Sequence, residues 1–126
     1  MKRLLMILAI LFLSAGLVYA EQVTLTWTAP ADDEGKPTQG PVTGYELRYS
    51  LEPITEVNFS EGTLIPTGTP NMPGETETYV VDMPDDQVYF YAVKSYDSIG
   101  NMSLISNIAS TDFFAPSAVM DLQATQ

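Results

Sequence analysis

An all-β fold is the class this sequence predicts, and three observations predict it. Between residues 21 and 111, apolar residues recur at every second position in short runs rich in Val, Thr, Tyr and Ile. The runs are separated by clusters of Pro, Gly, Asp and Asn, the residue types that turn a chain. No part of that region carries an apolar stripe of period 3.6, so no amphipathic helix competes.

The first element stands apart from the rest. Lys2 and Arg3 precede an apolar run at 4–13, and Ser14, Ala15 and Gly16 lead to Val18-Tyr19-Ala20. A positive start, an apolar middle and small residues at a cleavage point make residues 1–20 a secretory signal peptide, which places the protein in the periplasm, at the cell surface or in the medium. An uncleaved anchor competes, because 4–20 spans 17 residues, close to the lower limit of about 17 for crossing a bilayer. The polar interruption at Ser14 and Gly16 and the cleavage site favour removal. No Cys follows the run, which excludes a lipid-modified anchor.

The first strand is expected where Val23, Leu25 and Trp27 alternate with Thr24, Thr26 and Thr28, giving one apolar and one hydroxyl face. Pro30 stops it, and the loop 31–41 follows with Asp32, Asp33 and Glu34 in succession. Tyr45, Leu47 and Tyr49 alternate with Glu46, Arg48 and Ser50 in a second strand. Residues 51–74 hold Pro53, Pro66, Pro70 and Pro73, which predicts irregular edge structure because Pro cannot donate to a central ladder. A strand at 79–83 and a turn at 84–86 come next. Tyr89, Tyr91, Val93 and Ser95 then share one face of a longer strand, with Val88, Phe90 and Ala92 on the other. A hairpin at 97–101 needs a positive φ at Gly100 or Asn101. The last strand is expected over 104–110 in either of its two phases. The whole makes one small sandwich, residues 21–112, whose core must be rich in aromatic rings to hold without disulfides.

Composition removes whole classes of chemistry. With no His and no Cys there is no Ser-His-Asp triad, thiolate nucleophile, zinc finger or disulfide. Once residues 1–20 are removed, 3 basic residues face 16 acidic ones, a formal charge of −13. Such a surface repels phosphate backbones and anionic headgroups, so neither nucleic acid nor membrane is an expected partner after cleavage. Glycoside hydrolysis needs two carboxylates at a defined separation in a cleft, one of raised pKa. No acid is read within an apolar strand face, so no enzyme is expected.

At this point the residues resemble a family. Trp27 in Leu25-Thr26-Trp27-Thr28-Ala29-Pro30 is similar to the strand B tryptophan of fibronectin type III modules from secreted bacterial proteins. Gly44-Tyr45-Glu46-Leu47-Arg48-Tyr49 resembles strand C, and Met83 with Tyr89 resembles the corner between strands E and F. Residues 89–97, 100–103 and 106–107 are similar to strands F and G. The resemblance covers residues 23 to about 111 and implies an immunoglobulin-like antiparallel β-sandwich with a buried corner tyrosine.

The resemblance breaks at the front. Strand A, which would precede strand B, is missing between the cleavage point and Val23, leaving an open sheet edge. Residues 115–125, in the tail 113–126, instead resemble the linker and strand A of a following module. Three fates for that tail are open: the chain is a piece of a longer one, the tail is unstructured, or it fills the vacant groove of this or another copy. In the last case Val119 and Leu122 are the residues expected to be buried, and residues 116–126 would join copies head to tail.

The shared topology would also bring Asp32, Asp33 and Glu34 to the same pole as Asp97 and Asn101. Five oxygen-bearing side chains there are a candidate Ca²⁺ site, although their spacing matches no tight metal motif and ordinary turn chemistry is the favoured explanation. The functional expectation is a non-catalytic extracellular module that binds protein or polysaccharide or acts as a spacer. A self-assembling subunit and a calcium-dependent adhesion module are the alternatives.

Overall fold

A computed structural model describes residues 20–33, 40–84 and 87–126. The signal peptide expected at 1–20 therefore lies, apart from Ala20, outside the described residues, as does Glu34. Among the described residues six strands run β1 (Ala20–Thr28), β2 (Gly44–Ser50), β3 (Thr63–Ile65), β4 (Thr76–Pro84), β5 (Val88–Tyr96) and β6 (Ala109–Asp112). They form two antiparallel sheets, a two-stranded one of order β1-β4 and a four-stranded one of order β3-β2-β5-β6. The expected all-β sandwich is what the chain adopts.

Alternation decides which residues meet between the sheets. Val23 and Leu25 of β1 and Met83 of β4 face Leu47, Ile65, Tyr89 and Tyr91 of the larger sheet, all buried in one cluster. β4 of the smaller sheet ends at Pro84 and β5 of the larger begins at Val88, and Met83 and Tyr89, near those two ends, are both buried. Aromatic contacts supply much of the packing, as the sequence required. Trp27 meets Tyr45 edge to face at 5.0 Å and stacks on Tyr79 at 5.3 Å, while Tyr89 contacts Tyr49 and Phe113 at 5.9 and 6.1 Å.

The register defines two poles. Ala20 lies opposite Pro84, and Val88 opposite Asp112, at the lower pole; Thr28 lies opposite Thr76, and Gly44 opposite Tyr96, at the upper pole. At the Gly44–Tyr96 pair the tyrosine ring occupies the space a Cβ at Gly44 would need, 2.3 Å from its hydroxyl, so a larger residue there would have to displace the ring.

Three local readings are corrected. Residues 51–61 do not merely edge the fold: Ile54 and Phe59 bury themselves on Ala92 and cover the outer face of the larger sheet, with Phe90 and Ile105 beside them. Arg48 and Lys94 flank the Phe59 ring at 5.5 and 5.1 Å. A short 3-10 turn at Phe59–Glu61 seats the ring, and β3 follows as a three-residue edge strand. Second, the strand expected over 104–110 begins only at Ala109. Before it, Ser103 and Ser106 accept the N–H groups of Ser95 and Val93 on their hydroxyls, so side chains replace the carbonyls of a regular ladder. Third, β4 begins at Thr76 rather than 79, which places Glu77 on its inward face with only 2 % of its surface exposed. An acid does lie within an apolar strand face.

Candidate functional site

The concave places of the fold follow from its edges. The most apolar is a seam along one side of the sandwich. Its first wall is β1, one of the two strands of the smaller sheet; among the described residues no strand pairs with the edge of β1 that faces away from β4. Its second wall is the irregular chain before β6, with Ser106 and Asn107, and the first residue of β6, Ala109. Leu25 and Trp27 line it from β1, and Leu47, Tyr91 and Val93 form its floor. The seam encloses about 80 Å³, several times the roughly 10–15 Å³ one water molecule needs. Above Ala109 the second wall is held to β5 by the serine hydroxyls and by the N–H groups of Ser103 and Ser106, which donate to Ser95 O and Val93 O.

Trp27 and Tyr45 hold the upper part of the seam in shape. The Glu77 carboxylate lies beneath them, opposite Trp27 in the ladder, and accepts the Asn71 N–H at 2.9 Å. Burial, and then Glu77, push the Tyr45 hydroxyl well above its ordinary pKa. Tyr45 Oη and Trp27 Nε1 are buried without a well-formed hydrogen bond, so the hydroxyl feels the Glu77 charge without meeting it in good geometry. Glu77 escaped the sequence reading because the strand was begun at Tyr79. Stepping back by twos from Met83 through Val81 and Tyr79 reaches it, and that signal was present. One buried carboxylate alone makes no hydrolytic pair.

At the upper pole, Asp32, Asp97 and Asn101 do line one cavity of about 250 Å³, together with Tyr96 and Met102. Asp33 is exposed and does not line it. Both oxygens of Asp97 close its own turn: Oδ1 accepts from the N–H groups of Ile99 and Asn101 at 3.1 and 2.8 Å, and Oδ2 from Asn101 Nδ2 at 2.8 Å. The Asn101 amide first, and then the loop N–H groups, hold the Asp97 carboxyl below the usual range. Gly100 takes the positive φ the hairpin needs, at 91°. Among the described residues no three acids gather closely enough to hold a metal ion. A third concavity of about 750 Å³ opens at the lower pole between Tyr49, Leu51, Thr63 and Tyr89.

The tail is described throughout. Phe113 remains tied to the fold, its N–H donating to Gln87 O at 3.1 Å and its ring near Tyr89. From Phe114 onward every residue is exposed and none is in a strand. Val119 and Leu122, the two expected at an interface, are 74 % and 89 % exposed, and Met120 between them 90 %. The tail therefore does not occupy its own seam. Arg48 and Lys94, the cations among the described residues, are both engaged: Arg48 with Glu46 at 2.7 Å and with Gly62 O, Lys94 with Glu56 at 2.8 Å.

No protein-family model, curated protein or solved structure matches the chain. The reading of its function rests on the seam, the poles and the tail.

Proposed function

We propose that the chain acts outside the cell as a non-catalytic recognition module, of the fibronectin type III kind its strand motifs resemble, and that it takes an extended polypeptide segment at the seam. One observation carries this: the nine-residue edge of β1 lies unpaired, among the described residues, beside an apolar cavity. An extended peptide would bond the free N–H and C=O groups of β1 and set alternate side chains between the sheets, the mode called strand addition. Protein is favoured over polysaccharide because the rings are spent in the core; of the exposed large hydrophobic residues described, only Phe114 is aromatic. A bare spacer would not need an open seam. The upper pole adds nothing to a calcium-dependent role, since Asp97 is already engaged by its own loop.

The single Trp of the chain lines the seam and reports on it. A nine-residue peptide alternating Val and Thr is expected to shift Trp27 emission to the blue, saturably, as its side chains exclude water. The same peptide with every second residue replaced by Pro, which removes the donors a ladder needs, is expected to have no effect. If no alternating peptide changes the emission, the seam is not a strand acceptor.

A further inference from the structure

We propose that the segment the seam takes is residues 117–125 of a second copy of this chain, so that copies join head to tail. This deepens the reading above and rests on the seam being a strand acceptor.

Four observations name the occupant. The first is pattern: in an extended segment Ala118, Met120, Leu122 and Ala124 fall on one face, and Val119, Asp121, Gln123 and Thr125 on the other. One face is wholly apolar, as a segment set between β1 and the floor of Leu47, Tyr91 and Val93 must be. Strict alternation puts Leu122 with Met120 on the buried side and turns Val119 outward. The second is length: residues 117–125 number nine, equal to β1. The third is exposure. Met120 and Leu122 are 90 % and 89 % exposed, in a segment that forms no strand in its own molecule. The fourth is charge, for Asp121 is the one ionisable side chain among residues 113–126. In a molecule whose formal charge is −13 without residues 1–20, this is a segment that approaches another copy with little repulsion.

Direction explains why the donor is another molecule. The tail leaves β6 at the lower pole, where β1 also begins. To enter its own seam it would have to reverse immediately, against the anchor of Phe113 on Tyr89 and Gln87, and would then run parallel to β1. A tail arriving from a copy stacked above the upper pole runs antiparallel to β1, the pairing with the better hydrogen-bond geometry. The contact uses different surfaces on donor and acceptor, so it is heterologous and propagates.

The test uses the chain beginning at Glu21 and two variants that leave its folded part intact. Leu122→Asp alters an exposed tail residue and removes the donor. Ala109→Leu fills the seam from an exposed position in β6 and removes the acceptor. Light scattering over a concentration series is expected to find the parent chain growing beyond dimers, more strongly as salt rises because the copies repel. Each variant alone is expected to associate at least tenfold more weakly. Mixed, they are expected to form heterodimers and stop there, with Trp27 of the Leu122→Asp partner shifting to the blue. A Val119→Ser chain is expected to behave as the parent. A parent chain that stays monomeric at high salt, or variants that assemble like the parent, would overturn the proposal. In that event a peptide of residues 117–125 and the Val/Thr peptide separate the two readings. If only the Val/Thr peptide shifts Trp27, the seam accepts strands but not this one; if neither does, both readings fall.

Discussion

Replacing Phe59 by Ala tests whether residues 51–61 hold the fold together. The ring is 4 % exposed, fills the space between Ile54 and Ala92, and lies under Arg48 and Lys94 at 5.5 and 5.1 Å. Truncating a buried Phe to Ala costs about 3–5 kcal/mol once the cavity is included. Losing the ring beneath two partly exposed cations adds about 0.5–1 kcal/mol for each. Against a total stability of about 5–15 kcal/mol for a small domain, the variant is left marginal. The check is urea unfolding followed by far-ultraviolet dichroism, together with Tm. At roughly 4–8 °C per kcal/mol in a domain this small, Tm is expected to fall by at least about 12 °C. The Lys94→Ala partner change sharpens the reading. Its partner Glu56 is open to solvent, which screens the bridge, so the single effect is small. The double variant is expected to lose less than the sum of the singles, because Lys94 has no ring left to sit on. A loss below about 1 kcal/mol for Phe59→Ala, at unchanged m-value, would refute the claim that this loop covers the sheet.

Three further outcomes are expected. Gly100→Ala meets no neighbouring atom and suffers only from its φ of 91°, so it should cost about 1–2 kcal/mol in unfolding free energy while the rest of the amide spectrum stays in place. Asp97 has a depressed folded pKa, so its contribution is present above the unfolded value of about 3.9 and is lost as pH falls through the folded value. Carboxyl titration by NMR should give a midpoint below 3.9, with the Ile99 and Asn101 amides moving alongside it. Glu77→Ala strands the Asn71 N–H and opens a hole under Trp27, which should cost at least about 1–3 kcal/mol and redden Trp27 emission.

The strands were legible because alternation is written into them. Leu47, Tyr89 and Tyr91 are inside, as their phase requires, and Gly100 turns the hairpin as its chemistry requires. Residues 51–61 were not legible, since a Pro-rich stretch has no period, and what fixes Ile54 and Phe59 is a sheet surface distant in sequence. The last strand misled for a related reason. Residues 104–110 alternate adequately in either phase, and nothing local reveals that Ser103 and Ser106 bond β5 through their side chains. The candidate site was half legible. An unpaired edge on the first strand and an apolar pattern in the tail could be read from residue order, but the seam's second wall depends on where β6 begins.

The edges of the two sheets differ greatly in extent. The larger sheet ends in strands of three and four residues, whereas both borders of the smaller one, β1 and β4, are nine residues long. Short borders give a passing chain too few bonds to offset the entropy of ordering it. The two sheets therefore differ as templates: backbone pairing with an added strand is favoured at the borders of the smaller sheet and disfavoured at those of the larger.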